Sequence, residues 1–223
     1  MSAVTTRLRR VPLVFLVLAV PLAVGALNRT HATHSFVHWL GSYSPSRFVH
    51  GAVWTLPASA LLEAQPSNLR LNTLVPMLIF APYLLWIGVG PAVKTFFAGH
   101  IVATLTAASV ILLGVLAGSG TANHLFTMPD NGVSAGLAAT AGALGVLLWY
   151  SRARPLAAIV LGVVLVLFTS RLASERLGGQ LADFEHLVAI ATGALLELRR
   201  HATSSSSPSD TPIPARVAGA PRA

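Results

Sequence analysis

Six apolar runs of near-spanning length constrain this 223-residue chain more than any other feature. They cover 12–27, 71–88, 93–117, 133–150, 156–173 and 181–198, and a helix needs about 17 to 25 mostly apolar residues to cross a bilayer. The expected fold is therefore all-α: a polytopic membrane protein of six transmembrane helices with a long, structured first loop. The first run is slightly short and follows RLRR, so alone it would pass for a secretory signal peptide, a distinction that five further runs make minor. Only 10% of the residues are charged against 54% hydrophobic, outside the usual range of a soluble domain.

The net charge of +8 does not point to nucleic acid, because the basic residues form short clusters at the ends of apolar runs rather than a continuous patch. Lysine and arginine near span ends stay preferentially on the cytoplasmic side. With the N-terminus inside, that side receives Arg7, Arg9, Arg10, Lys94, Arg152, Arg154, Arg199 and Arg200, while Glu63, Asp130, Glu175, Asp183 and Glu185 collect on the other. Both termini are expected in the cytoplasm, as a segment 1–11 and a tail 199–223, with the membrane domain at 12–198 between them. The tail is rich in Ser, Pro and Ala without apolar periodicity and is expected to be disordered. The absence of cysteine removes disulfides, thiolate chemistry and cysteine-based zinc sites.

The segment between the first two runs, NRTHATHSFVHWLGSYSPSRFVHGAVWTLPASALLEAQPSN, is too long and too aromatic for a plain connection. Its Trp39, Tyr43, Phe48 and Trp54 suit an interfacial position, where an aromatic ring faces lipid and its polar edge faces water.

On this topology the fourth and sixth runs both begin on the extracytoplasmic side. NGVSAGLAATAG then sets Ser134 in the first turns of one, and DFEHLVAIATG sets His186 in the first turns of the other. A serine hydroxyl is a weak nucleophile until a base within hydrogen-bond reach takes its proton, and imidazole has a suitable pKa. The sequence permits a Ser-His dyad.

These residues carry a resemblance to the rhomboid family of intramembrane serine proteases. GVSA, Gly132 to Ala135, resembles the family's Gly-x-Ser-Gly nucleophile motif at the start of its fourth helix, with alanine in place of the last glycine. His186 is followed by Ala189 and Gly193, matching the small residues three and seven positions after the family's sixth-helix histidine. VWTLPASALL, with Trp54, is similar to the tryptophan-containing end of the family's first loop. The resemblance spans roughly 12–198 and implies a rhomboid-like six-helix bundle, a catalytic Ser134 and His186, a transmembrane protein as substrate and no cofactor. Family and size together imply a bacterial plasma membrane. Where the family has a second-helix His and Asn four residues apart, SNLRLNTLVP offers Asn68 and Asn72 but no histidine; either asparagine could supply the oxyanion amide that the resemblance implies, with Asn72 the candidate. Losing one oxyanion donor costs about 2.7 to 4 kcal/mol in the transition state.

Plainer readings stand beside these. Gly132 and Gly136 form a Gly-x-x-x-Gly pattern that lets membrane helices approach closely without catalysis, and Ala189 and Gly193 give the sixth run a complementary stripe. Asp183 and Glu185 read as acids at a membrane boundary. His100, in the third run, lies far from Ser134 in expected depth and reads as hydrogen-bonded to a neighbouring helix. His31, His34, His38, His50 and His124 raise a metal site, but without an HExxH glutamate or a clear further ligand no metal is expected. Two functions follow: an intramembrane serine endopeptidase, or a catalytically inactive protein of the same fold that binds transmembrane helices. In both cases the partners are a membrane-spanning protein and the lipid bilayer.

Overall fold

The computed structural model describes residues 11–27, 31–62, 69–130, 132–169 and 177–205, and among them it is helical with no strand. In chain order the helices are α1 (Val11–Leu27), α2 (His31–Gly41), α3 (Pro45–Val49), α4 (Thr55–Ser59), α5 (Leu69–Ile87), α6 (Val89–Leu116), α7 (Gly120–Thr127), α8 (Ser134–Tyr150), α9 (Arg154–Thr169) and α10 (Leu177–Ser205). Each of the six apolar runs overlaps one of α1, α5, α6, α8, α9 and α10, and the end of the fifth, 170–173, lies outside the described residues. Of these, α6 is long and apolar enough to cross a membrane by length and composition, while 78–87, α8 and 154–166 form shorter apolar stretches. The sixth run is extended at both ends, because α10 begins at Leu177 and continues to Ser205. It therefore takes in the first residues of the segment expected to be disordered; 206–223 lie outside the described residues.

Helix α8 is the centre of the bundle. Its sequence SAGLAATAGALGVLLWY is dominated by small residues on all sides, so no single face is marked for solvent, and 135–145 are buried throughout. It packs chiefly on α10, then on α6, α9 and α5. The contacts Ser134 with His186 and Ala139 with Gly193 show α8 and α10 running the same way. Thr104 meets Glu185, and Gly99 lies near Ala189, so α6 runs opposite to them.

The outward faces are apolar. Leu78, Val110, Leu113, Leu116, Ile159, Val163, Val166 and Leu195 are exposed, whereas Thr95, His100, Thr104, Thr140, Asp183, Glu185 and Glu197 are buried. Several of the polar groups inside are paired. Glu197, 1% exposed, accepts from the Tyr83 hydroxyl at 2.7 Å and from Arg200, and Arg200 also donates to Tyr83 at 3.0 Å. This cluster ties α5 to α10, and His201 stacks on Tyr150 with ring centroids 4.6 Å apart, adding α8 to the same end. Removing one member of a buried ionic cluster leaves the others buried and uncompensated. Because Arg200 is partly exposed, Glu197→Ala is expected to cost about 2 kcal/mol, read as a lower melting temperature in detergent, with Glu197→Gln falling between it and wild type.

The first loop is built from α2, α3 and α4. Ser44 caps α3 by accepting from the Arg47 N–H at 3.2 Å, and the Arg47 guanidinium donates to the carbonyls of Trp39 and Ser42 at the end of α2. Of the four aromatics expected at an interface, Trp39 and Trp54 are exposed and Phe48 is half-buried. Tyr43 departs from that expectation. It is 1% exposed, held inside by a backbone bridge in which the Asp130 N–H donates to the Tyr43 carbonyl at 2.7 Å.

Candidate active site

Ser134 is the first residue of α8, preceded by Val133 in a helical conformation with no side-chain cap on the helix. The first N–H groups of a helix have no acceptor within it, so those of Ser134, Ala135 and Gly136 surround the serine as free helical donors. The turn before the serine is fixed from outside α8: the Gly132 N–H donates to the Ser59 carbonyl of α4 at 3.1 Å. The first loop thus fastens the turn that leads into Ser134, a contact that no motif in the sequence announces.

His186 lies on α10 with its Nε2 2.9 Å from Ser134 Oγ. Its side chain is 13% exposed, so the imidazole is largely desolvated yet reachable. One helical turn back on the same face, Asp183 places Oδ1 3.9 Å from His186 Nδ1, with its own side chain 3% exposed. That separation is too long for a hydrogen bond but short enough for attraction to an imidazolium. Asp183 and Glu185, expected as acids at a membrane boundary, are both buried within the protein. The i, i+3 spacing of Asp183 and His186 was visible in DFEH, but its burial was not. Glu185 points to another neighbour, accepting a hydrogen bond from Thr104 Oγ1 on α6.

The close approach of α8 and α10 rests on glycines facing backbone. A Cβ on Gly193 would collide with the Ala139 carbonyl oxygen, and one on Gly142 with the Ile190 carbonyl oxygen. Ala189 is fully buried in a cluster with Ala103, Ala135, Ala138 and Ala139, so Ala135 fills space among α6, α8 and α10. Ala189 and Gly193 hold the seam expected of them. Gly136 and Gly132 do not. A Cβ on Gly136 would meet the Phe96 ring of α6 at 2.5 Å, and one on Gly132, which precedes the helix, would meet Ser134 Oγ at 3.3 Å. The partner of a small residue depends on the angle at which helices cross, which spacing alone does not encode.

Asn72 falls within α5, but its side chain, like the whole of Asn68, lies outside the described residues. His100 is 2% exposed and hydrogen-bonds to α4, its Nε2 lying 3.0 Å from both the Leu56 carbonyl and Ser59 Oγ. Since Ser59 also holds Gly132, His100 buttresses the turn that presents Ser134 rather than standing remote from it. In the first loop, His38 bonds Ser42 Oγ at 2.8 Å and His50 the Ser46 carbonyl at 2.7 Å. Among the described residues, no three His, Asp or Glu side chains gather as metal ligands.

Ahead of Ser134 in the chain, burial pushes the Asp130 carboxyl up to about 6. A carboxyl whose pKa is raised on folding binds more protons folded than unfolded between about pH 4 and 6, so stability rises as pH falls through that window. Asp130→Asn is accordingly expected to be more stable than wild type at pH 8, on the order of 1 kcal/mol, with the difference gone by about pH 4. Melting curves at the two pH values test this; a variant less stable than wild type at pH 8 contradicts it.

Comparison of the chain with protein-family models, with curated proteins and with solved structures finds no match.

Proposed function

We propose that this chain is a rhomboid-like intramembrane serine endopeptidase of six transmembrane helices, which cleaves membrane-spanning proteins near the extracytoplasmic surface. The observation that carries the reading is the 2.9 Å contact between Ser134 Oγ and His186 Nε2, made by side chains 52 residues apart on two tightly packed helices. The apolar outer faces and the burial of polar side chains support the lipid bilayer as solvent. The distribution of Lys and Arg supports cytoplasmic termini, and the resemblance to the family supports a bacterial plasma membrane.

In this mechanism His186 Nε2 removes the Ser134 hydroxyl proton as Oγ bonds to the scissile carbonyl carbon. The carbonyl π electrons move to oxygen, and the resulting oxyanion takes hydrogen bonds from the first N–H groups of α8 and from Asn72. The imidazolium, stabilised by Asp183, then delivers its proton to the departing amine as the C–N bond breaks, leaving an ester on Ser134. Water, deprotonated by the same His186, hydrolyses the ester and restores the serine. A peptide bond within an intact helix has its carbonyl engaged in the helix's own hydrogen bonds, so the substrate unwinds to be cut.

The test is cleavage of a panel of single-span proteins co-reconstituted in liposomes. Wild type is expected to release a fragment cut at the outer end of the span, and Ser134→Ala none. If folded wild type cuts nothing but retains the single-span proteins on co-purification, the chain is instead an inactive helix-binding member of the same fold, consistent with Ala135 and the missing second-helix histidine.

A further inference from the structure

Between α6, α7 and the first turns of α10 lies a cavity of about 110 Å³ that the dyad does not use. Its polar wall is made by Tyr43, Thr104, Asp130 and Glu185, and residues such as Ile111 and Leu125 complete an apolar lining. Two features set it apart from ordinary packing. The Tyr43 hydroxyl is buried in it with no hydrogen-bond partner, in a side chain 1% exposed. Among the described residues, no Lys, Arg or His forms an ion pair with Asp130 or Glu185. A buried phenol without a partner and two neighbouring carboxyls without a cation are both costly unless something fills the space.

We propose that this cavity is a substrate subsite that takes a lysine or arginine side chain, its apolar stem along the Ile111 and Leu125 wall and its charged head between Asp130, Glu185 and the Tyr43 hydroxyl. The Tyr43 phenol is pushed up to about 12 by burial and, after it, by the neighbouring carboxyls of Asp130 and Glu185, so it faces the cavity as a neutral hydroxyl. The volume also agrees, being well below the roughly 300 Å³ at which pockets begin to hold whole small molecules, and sized for one side chain. A calcium ion is a poor fit, since it needs about six to eight oxygen ligands and the remaining walls are apolar.

The inference deepens the protease reading and rests on it for its place in a reaction. Glu185 and His186 are adjacent on α10 and point about 100° apart, one towards α6 and the cavity, the other towards α8 and Ser134. Asp130 precedes Ser134 by one short turn of chain. A substrate strand lying across Ser134 therefore passes the cavity within a few residues of the scissile bond.

The experiment measures binding, not cleavage, in the Ser134→Ala protein held in phosphatidylglycerol nanodiscs, which contain no amine headgroup to compete. The probes are fluorescent single-span peptides in which one lysine is moved through the outer juxtamembrane segment, each paired with the same peptide carrying norleucine. A charge-assisted contact predicts that lysine binds about tenfold tighter than norleucine at one or two adjacent positions. Asp130→Asn and Glu185→Gln should each draw that ratio towards one while leaving the norleucine affinity in place, and Tyr43→Phe should lower it less. A ratio near one at every position, or a preference that survives both carboxyl substitutions, overturns the subsite whatever the cleavage assay shows. A lysine preference that depends on both carboxyls, in a protein whose wild type cuts nothing, upholds the subsite and counts against the protease reading alone.

Discussion

On the proposed protease reading, His186→Ala is expected to lower the rate of single-span substrate cleavage by about 10²- to 10⁴-fold, the contribution of one positioned general acid-base group. The substitution removes the only imidazole bonded to Ser134 Oγ among the described residues, while the first-turn donors of α8 remain. The side chain is 13% exposed and its helix is anchored independently by Ala189, Gly193 and the Glu197 cluster, so the melting temperature should move little. Asp183→Asn keeps the shape and loses the charge facing Nδ1. Its effect should be smaller, because 3.9 Å is a separation for charge stabilisation rather than for a hydrogen bond that fixes the ring. Equal losses in the two variants would assign Asp183 a larger share than the geometry supports.

A second large effect is expected far from the reacting atoms. Gly193→Ala places a methyl group on the Ala139 carbonyl, and Gly142→Ala places one on that of Ile190; both obstacles are backbone, which no rotamer change relieves. Helices α8 and α10 must then move apart. A displacement of about 1 Å between reacting groups costs about 10²-fold in rate, and overpacking of this kind costs about 1–3 kcal/mol in stability. Cleavage and melting temperature should fall together in both variants. Gly162→Ala on α9, where an added Cβ meets nothing within 4 Å, serves as the control and should change neither. Full activity in Gly193→Ala would mean that the dyad does not depend on the seam.

The helices were legible because long apolar runs leave a length signal: each run overlaps a helix, with the Ser134 motif at the start of one and the His186 motif in the first turns of another. What surrounds the dyad was harder to read, for physical reasons that differ by residue. Helix α8 is small and apolar all round, so no periodicity distinguishes the face on α10 from the face on α6, and Gly136 turned out to meet Phe96. Tyr43 has the composition of an interfacial residue, but a single backbone bridge to Asp130 draws it inside. Acids near the start of a span look alike in sequence whether they face water or neighbours; Thr104, 81 residues from Glu185, decides the matter for that carboxyl. His100 was correctly read as hydrogen-bonded, yet its partner is α4 of the first loop, whose docking no local pattern encodes.

The proposal that Ser134 is an activated nucleophile is tested most directly by exposing the liposome-reconstituted protein to a fluorophosphonate and mapping the adduct by peptide mass spectrometry. The expected result is a phosphonyl adduct on Ser134 in wild type, absent in Ser134→Ala and strongly reduced in His186→Ala. Folded wild-type protein that carries no adduct at Ser134, or labelling that persists in Ser134→Ala, would contradict it.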